Sequence, residues 1–187
     1  MKLAPRALPE LLAGRRIASV TGTNGKTTTT HFLTAAVRAE TPDGQRSVVT
    51  NADGANLHHG IVSALGQAPD ATIAVLETDE RVVADVVAMG SPEVLVLLNF
   101  SRDQLDRNHE LTFLGRDWRA ALEKAAEHGP TVVANACDPL IVWVCQKARH
   151  VIWVDTKPRW TADATLCPNC GACLLYTSDA ADDLLCV

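Results

Sequence analysis

The sequence predicts an α/β fold: a mainly parallel sheet covered by helices. Three observations carry that expectation. Apolar segments alternate with helical ones along most of the chain, the order that produces right-handed βαβ units. The apolar segments lack a polar-apolar alternation. Val94-Leu95-Val96-Leu97-Leu98 is apolar throughout, as expected when helices cover both faces of a sheet. Finally, the glycine loop Gly22-Thr23-Asn24-Gly25-Lys26-Thr27-Thr28 joins the first apolar run to the first long helical pattern.

The elements follow in order. Residues 17–21 are apolar, lead into the glycine loop and read as a buried strand. Residues 26–40 contain neither Gly nor Pro and read as a helix, closed by Pro42. Residues 47–51 return to β-branched side chains and stop at the turn-forming Asn51-Ala52-Asp53-Gly54. A helix over 56–65, a strand over 72–77 and a helix over 80–89 continue the alternation. The apolar strand 94–99 precedes a helix over 113–127 and a strand over 131–135. Asp138-Pro139 opens a helix over 139–147, with Asp138 as N-cap and Pro139 in the first turn. Residues 150–154 form the last strand; residues 155–165 turn polar, with Pro158 and Trp160, and read as a connector. No internal repeat is visible. In such sheets ligands gather at the carboxyl ends of the strands.

Composition narrows the function classes. The chain has 187 residues, 47% hydrophobic and 21% charged, enough for one ordinary α/β domain plus an appendage. The net charge of −5, without a Lys/Arg run, argues against a nucleic-acid partner. No apolar stretch approaches the ~18–20 residues of a membrane span. Residues 1–13 show two basic residues and scattered Leu but no signal-peptide core, so a cytoplasmic location is expected. Of the six cysteines, Cys137 and Cys145 sit in apolar surroundings and read as buried thiols. The six histidines lack metal-ligand spacing and read as structural or exposed.

The glycine loop is the strongest motif. Its backbone N–H groups and the following helix N-terminus can surround phosphate oxygens. Lys26 adds a point charge near the β/γ-phosphates, and the Thr27 hydroxyl can hold Mg²⁺. The sheet is therefore expected to be of the P-loop type. The spacing is shortened: the first glycine of G-x-x-x-x-G-K-[ST] would fall on Val20, whereas the chain places it at Gly22. The bland alternative is a turn that merely caps a helix.

Glu77, at the end of its strand in Leu76-Glu77-Thr78-Asp79-Glu80, is a candidate second Mg²⁺ residue, the alternative being a solvated loop acid. Asp79 and Glu80 can instead open the next helix. The polar run Asn99 to Arg107 closes the most apolar strand and forms either an active-site edge or a helix start capped by Asp103. The loop Asn51 to Leu57 either shapes the nucleotide or acceptor site or is a plain turn. Asn135 can offer its amide to an adenine edge. Cys167-Pro168-Asn169-Cys170-Gly171 is a knuckle that suits Zn²⁺ when a second C-x-x-C follows; a redox dithiol and inert thiols are the alternatives.

Taken together, these residues resemble the MurT-type branch of the Mur ligase family, over about residues 9–172. Gly22-Thr23-Asn24-Gly25-Lys26-Thr27-Thr28 is similar to the family's ATP loop, and Glu77 to its Mg²⁺ glutamate. Asn135-Ala136-Cys137-Asp138-Pro139 is similar to the N-A-D-D-P adenine-side loop, with Cys137 replacing an aspartate. Gln104, in Arg102-Asp103-Gln104-Leu105-Asp106-Arg107, stands where other Mur ligases usually carry a metal-approaching His. The Cys167–Cys170 knuckle is also a feature of the branch.

The resemblance implies the synthetase subunit of lipid II isoglutaminyl synthase. ATP would phosphorylate the α-carboxylate of D-glutamate in lipid II, and ammonia from a GatD-like glutaminase partner would displace phosphate to leave D-isoglutamine. ATP and Mg²⁺ are the expected cofactors, with Zn²⁺ in the full-length protein. Cys167 and Cys170 would supply half of that zinc site.

The expected organisation is a Mur ligase central ATP-binding domain over 1–156 and the start of an incomplete zinc-ribbon insertion over 157–172. Residues 173–187 resemble the translation of a transposon-type sequencing adapter and are expected to be non-native. On that reading the chain is truncated and inactive alone, its catalytic groups lying in a missing C-terminal domain. Two alternatives remain: a folylpolyglutamate- or cyanophycin-type ligase, and a non-catalytic nucleotide-binding module.

Overall fold

The computed structural model of the protein describes residues 6–51, 54–100 and 108–155. Six strands form one sheet: β1 (Arg16–Thr21), β2 (Val48–Thr50), β3 (Ile73–Glu77), β4 (Val94–Leu97), β5 (Thr131–Asn135) and β6 (His150–Val154). Their order is β2-β3-β1-β4-β5-β6, and every neighbouring pair is parallel. The helices are α1 (Ala7–Leu12), α2 (Lys26–Glu40), α3 (Gly44–Ser47), α4 (His58–Gln67), α5 (Val83–Gly90), α6 (Asn108–Ala125) and α7 (Pro139–Cys145). The α/β fold with a mainly parallel sheet is thus the observed one.

Register explains the packing. Ile17 aligns with Ala74, and Ser19 with both Leu76 and Leu95, so these residues share one face. On that face Ile17, Ala74 and Leu76 meet Leu8 and Leu12 of α1 and Ile61 and Leu65 of α4. Leu95, Leu97, Val132 and Ala134 meet Trp118 and Leu122 of α6 and Ile141 and Val144 of α7. Burying each large side chain contributes roughly 1.5–3 kcal/mol. The opposite face carries α2, whose Leu33, Ala36 and Val37 lie over Ala18, Ile73, Val75 and Val94. Beyond α2 that face thins out: Ile152 of β6 is 55% exposed. Covering also ends at β6 on the first face, where Trp153, aligned with Ala134, is 47% exposed.

Several boundaries moved for physical reasons. α1, unpredicted, is a short segment that buries Leu8 and Leu12. α3 is likewise unpredicted; it is a single turn, entered through Asp43 at φ 51°. α5 starts at Val83 rather than at residue 80. The Asp79 carboxylate first accepts the Arg81 N–H and the Asp79 carbonyl the Val82 N–H, which makes a turn before the helix. α6 begins at Asn108, ahead of the apolar pattern that marked residue 113, and its end tightens into a 3₁₀ turn over Ala126–His128. α7 ends at Cys145, two residues early.

Candidate functional site

β1 lies between β3 and β4, so the chain turns to opposite sides of the sheet around it. That makes the carboxyl end of β1 a topological switch point, where such sheets open a ligand crevice. The glycine loop occupies this end. Gly22 adopts φ +140°, and a Cβ there would stand 2.8 Å from Leu98 Cβ and 2.9 Å from the Asn99 nitrogen. Only glycine lets the loop pass this close to the end of β4. Asn99 then holds it: its carbonyl accepts the Thr23 N–H at 2.9 Å. Its side-chain amide accepts from the Asn24 N–H and donates to the Asn24 carbonyl, both at 3.0 Å. Gly25 turns into α2 through φ 85°. No acidic residue occupies the first turn of α2, so its positive end faces the loop uncompensated by a carboxylate of its own. Thr27 and Thr28 belong to that turn.

Glu77 ends β3 and is 1% exposed, which removes the alternative of a solvated loop acid. Its position is set by two asparagines. Asn51, 4% exposed, accepts the Glu77 N–H and donates to the Glu77 and Ala55 carbonyls, each at 2.8 Å. Asn56 donates to Glu77 Oε1 at 3.0 Å. The second carboxylate oxygen, Oε2, has no hydrogen-bond partner among the described residues. Behind this strand end, the Ser19 and Thr78 hydroxyls share a short hydrogen bond, and the Thr78 N–H donates to the Val20 carbonyl.

Lys26 folds over its own loop. Its ammonium donates to the Gly22 carbonyl at 2.5 Å and the Thr23 carbonyl at 3.3 Å, and lies 3.5 Å from Glu80 Oε1. Nearby, Asp79 pairs with Arg81 at 2.9 Å. Burial pushes the Asp79 carboxyl up, but the Arg81 hydrogen bonds and the charges of Arg81 and Lys26 outweigh it, leaving a net downward shift.

At the end of β5, Asn135 donates to the Leu98 carbonyl and accepts the Cys137 N–H, both at 2.9 Å. Its amide already stitches β5 to β4, so any contact with a base would use the capacity left over. Asp138 caps α7 through the Leu140 and Ile141 N–H groups, as the sequence predicts. Cys137 departs from expectation. It is half-buried, and its thiol lies 3.1 Å from an Asp155 oxygen, because β6 delivers a polar strand end beside it. Cys145 is a buried thiol as expected, pushed up to about 12 by burial. His58 pairs with Asp85 at 2.8 Å. Asp53, Arg102 to Arg107, Cys167 and Cys170 lie outside the described residues.

Residues 20–161 match the family model described as the Mur ligase middle domain. The chain belongs to this family. Among curated proteins, the Mur ligase chain described here is similar to the lipid II isoglutaminyl synthase (glutamine-hydrolyzing) subunit MurT of Staphylococcus aureus strain COL. The two are 30% identical, over 86% of this chain and 37% of that protein. The MurT subunit of Streptococcus pneumoniae is 32% identical, over 90% of this chain and 39% of that protein. The chain thus spans less than two-fifths of the length of these relatives. Among solved structures, a UDP-N-acetylmuramoyl-L-alanyl-D-glutamate–2,6-diaminopimelate ligase superposes with a TM-score of 0.55 at 23% identity. That match covers 78% of this chain and 33% of that one, and it supports the shared fold.

The Mur ligase loop and its neighbours fit a metal-complexed nucleotide in donor chemistry. Thr23 Oγ1 and Glu77 Oε2 are buried polar atoms without a partner among the described residues. A buried carboxylate oxygen without a donor is costly, and a cation is the natural answer to it. Sequence reasoning found Lys26 and Glu77 but missed how Asn51 and Asn56 hold Glu77 and how Asn99 holds Thr23 and Asn24 of the loop that leads to Lys26. The available signal was that Asn51, Asn99 and Asn135 each stand at or just beyond a strand end.

Proposed function

We propose that this chain is the ATP-binding part of an ATP-dependent carbon–nitrogen ligase of the lipid II isoglutaminyl synthase type. The observation that carries the reading is the Asn99-clamped loop at the carboxyl end of β1, with the buried Glu77 at the end of the neighbouring β3. The MurT relatives supply the substrate class. ATP would bind with its phosphates over the loop N–H groups and the α2 N-terminus. Thr27 and Glu77 would hold Mg²⁺, which on binding neutralises phosphate charge. The γ-phosphoryl group would pass to the D-glutamate α-carboxylate of lipid II, giving an acyl phosphate and ADP. Ammonia supplied by a glutaminase subunit would attack the acyl carbon and release phosphate, leaving D-isoglutamine. Residues 1–156 form the ATP-binding unit in this reading, and Cys167 with Cys170 contribute half of a zinc site in the full-length protein.

The test is calorimetric titration of the chain with Mg·ATP. Lys26→Ala, which loses charge-assisted bonds to phosphate, should weaken binding roughly 10–100-fold while leaving the circular dichroism spectrum intact. Unchanged affinity would sink the nucleotide assignment. In the complete gene product, ammonia-dependent amidation of lipid II should fall with the same substitution; ATP binding without amidation would point to a non-catalytic nucleotide module.

A further inference from the structure

Glu80 is not accounted for by the site as a phosphate cradle. Its carboxylate lies 3.5 Å from the Lys26 ammonium, and the two side chains are only 17% and 14% exposed. The Gly22 and Thr23 carbonyls complete the set of acceptors around that ammonium. All three compete for the same donor that a phosphate oxygen would use.

The carboxylate is not on a loose surface turn. Trp118 Nε1 donates to the Glu80 carbonyl at 2.8 Å. Trp118 is itself 1% exposed, with its ring centroid 4.4 Å from that of Phe100. The Phe100 N–H in turn donates to the Asp138 carboxylate at 2.6 Å. The helix layer therefore anchors the backbone that carries Glu80.

Charge then sets the preference. Three carboxylates lie within four residues at the end of β3. Arg81 answers Asp79 and Lys26 answers Glu80. Glu77 Oε2 meets no donor among the described residues. A free nucleotide would bring its polyphosphate charge into a place where the loop's own cation is already engaged. A divalent cation bound to the phosphates removes much of that repulsion and answers Glu77 as well.

We propose that Glu80 makes this site select metal-complexed nucleotide over free nucleotide, by holding the Lys26 ammonium and presenting a negative charge beside it. The proposal rests on the nucleotide reading of the loop. Glu80 acts here as a positioning residue for Lys26, not as a group that touches reacting atoms.

The experiment is titration of the 187-residue chain with ADP, once in Mg²⁺ and once in EDTA. Glu80→Gln keeps the side-chain size and the carbonyl that Trp118 uses. In EDTA it should bind ADP ~3–10-fold tighter than wild type, the range of a partly shielded ion pair. In Mg²⁺ the two should agree within about twofold, and raising the salt in EDTA should narrow the gap. Equal or weaker binding of free ADP by Glu80→Gln overturns the proposal. If that variant does not fold, Glu80→Asp keeps the charge but withdraws it from Lys26. It should tighten free ADP at least about twofold, and no tightening overturns the proposal. A wild-type chain that binds ADP under neither condition refutes the nucleotide site itself. Wild-type binding that Glu80→Gln leaves untouched refutes the selection alone.

Discussion

Asn51 offers a sharp test of how the site is built. Its side chain makes three hydrogen bonds of 2.8 Å, two of them to the main chain of Glu77, and it is 4% exposed. Asn51→Ala removes all three and strands the Glu77 N–H and carbonyl away from water. At roughly 0.5–1.5 kcal/mol per bond plus the cost of buried orphans, the loss should be about 2–4 kcal/mol. That is a large share of the ~5–15 kcal/mol that holds a domain together. Asn51→Asp is the discriminating partner. It has the same shape but aims an oxygen, instead of an NH₂, at the carbonyls of Ala55 and Glu77. If hydrogen-bond polarity is what matters, Asp should destabilise at neutral pH at least as much as Ala. If only packing matters, Asp should behave like wild type. Urea unfolding followed by circular dichroism reads the difference as a shift in midpoint at unchanged slope. An Asn51→Asp protein within about 1 kcal/mol of wild type would refute the reasoning, since the smallest expected loss is about twice that.

Two further substitutions test other links. Gly22→Ala places a methyl 2.8 Å from Leu98 Cβ and 2.9 Å from the Asn99 nitrogen at φ +140°. It should cost about 1–3 kcal/mol and weaken nucleotide binding as the loop shifts, as urea unfolding and ADP titration would show. Burial raises the Cys145 thiol from 9.0 to about 12, so its stabilising effect is fully present below pH 9 and is lost as pH rises toward 12, where the unfolded thiol ionises first. Cys145→Val should therefore flatten the alkaline limb of the stability profile relative to wild type, measured by urea midpoints from pH 8 to 11.

The parts of the fold legible in the sequence are those with strong local chemistry. α2 spans residues 26–40 as predicted because a left-handed glycine starts it and nothing within it breaks it. β5 and β6 match their predicted bounds, and Asp138 with Pro139 caps α7 through local hydrogen bonds. What escaped depends on distance through space. Asn51 meets Glu77 across 26 positions, Asn135 meets Leu98 across 37 and Asn99 meets Asn24 across 75. No window of sequence contains both partners. Glu77 illustrates the same limit: its type and position were readable, while its burial follows from the loops packed around it. Cys137 was misjudged because it lies between an apolar strand and an apolar helix, whereas its neighbour in space is Asp155.

The three asparagines at the rim carry a consequence for how this protein tolerates change. Asn51 acts just after β2, Asn99 just beyond β4 and Asn135 at the end of β5, and each replaces a ladder bond with a side-chain amide where the parallel chains begin to diverge. The anchorage of the loops leaving β4 and β5 is thereby separated from the path each takes afterwards. Beyond Asn99 and Asn135, downstream segments can lengthen, shorten or swing with little effect on the floor on which the glycine loop rests, whereas after Asn51 both Ala55 and Asn56 are bonded back to the site, Asn56 to Glu77 itself. At those first two positions the rim behaves as a pair of fixed sockets, and variation in what is plugged into them need not disturb the phosphate end of the crevice.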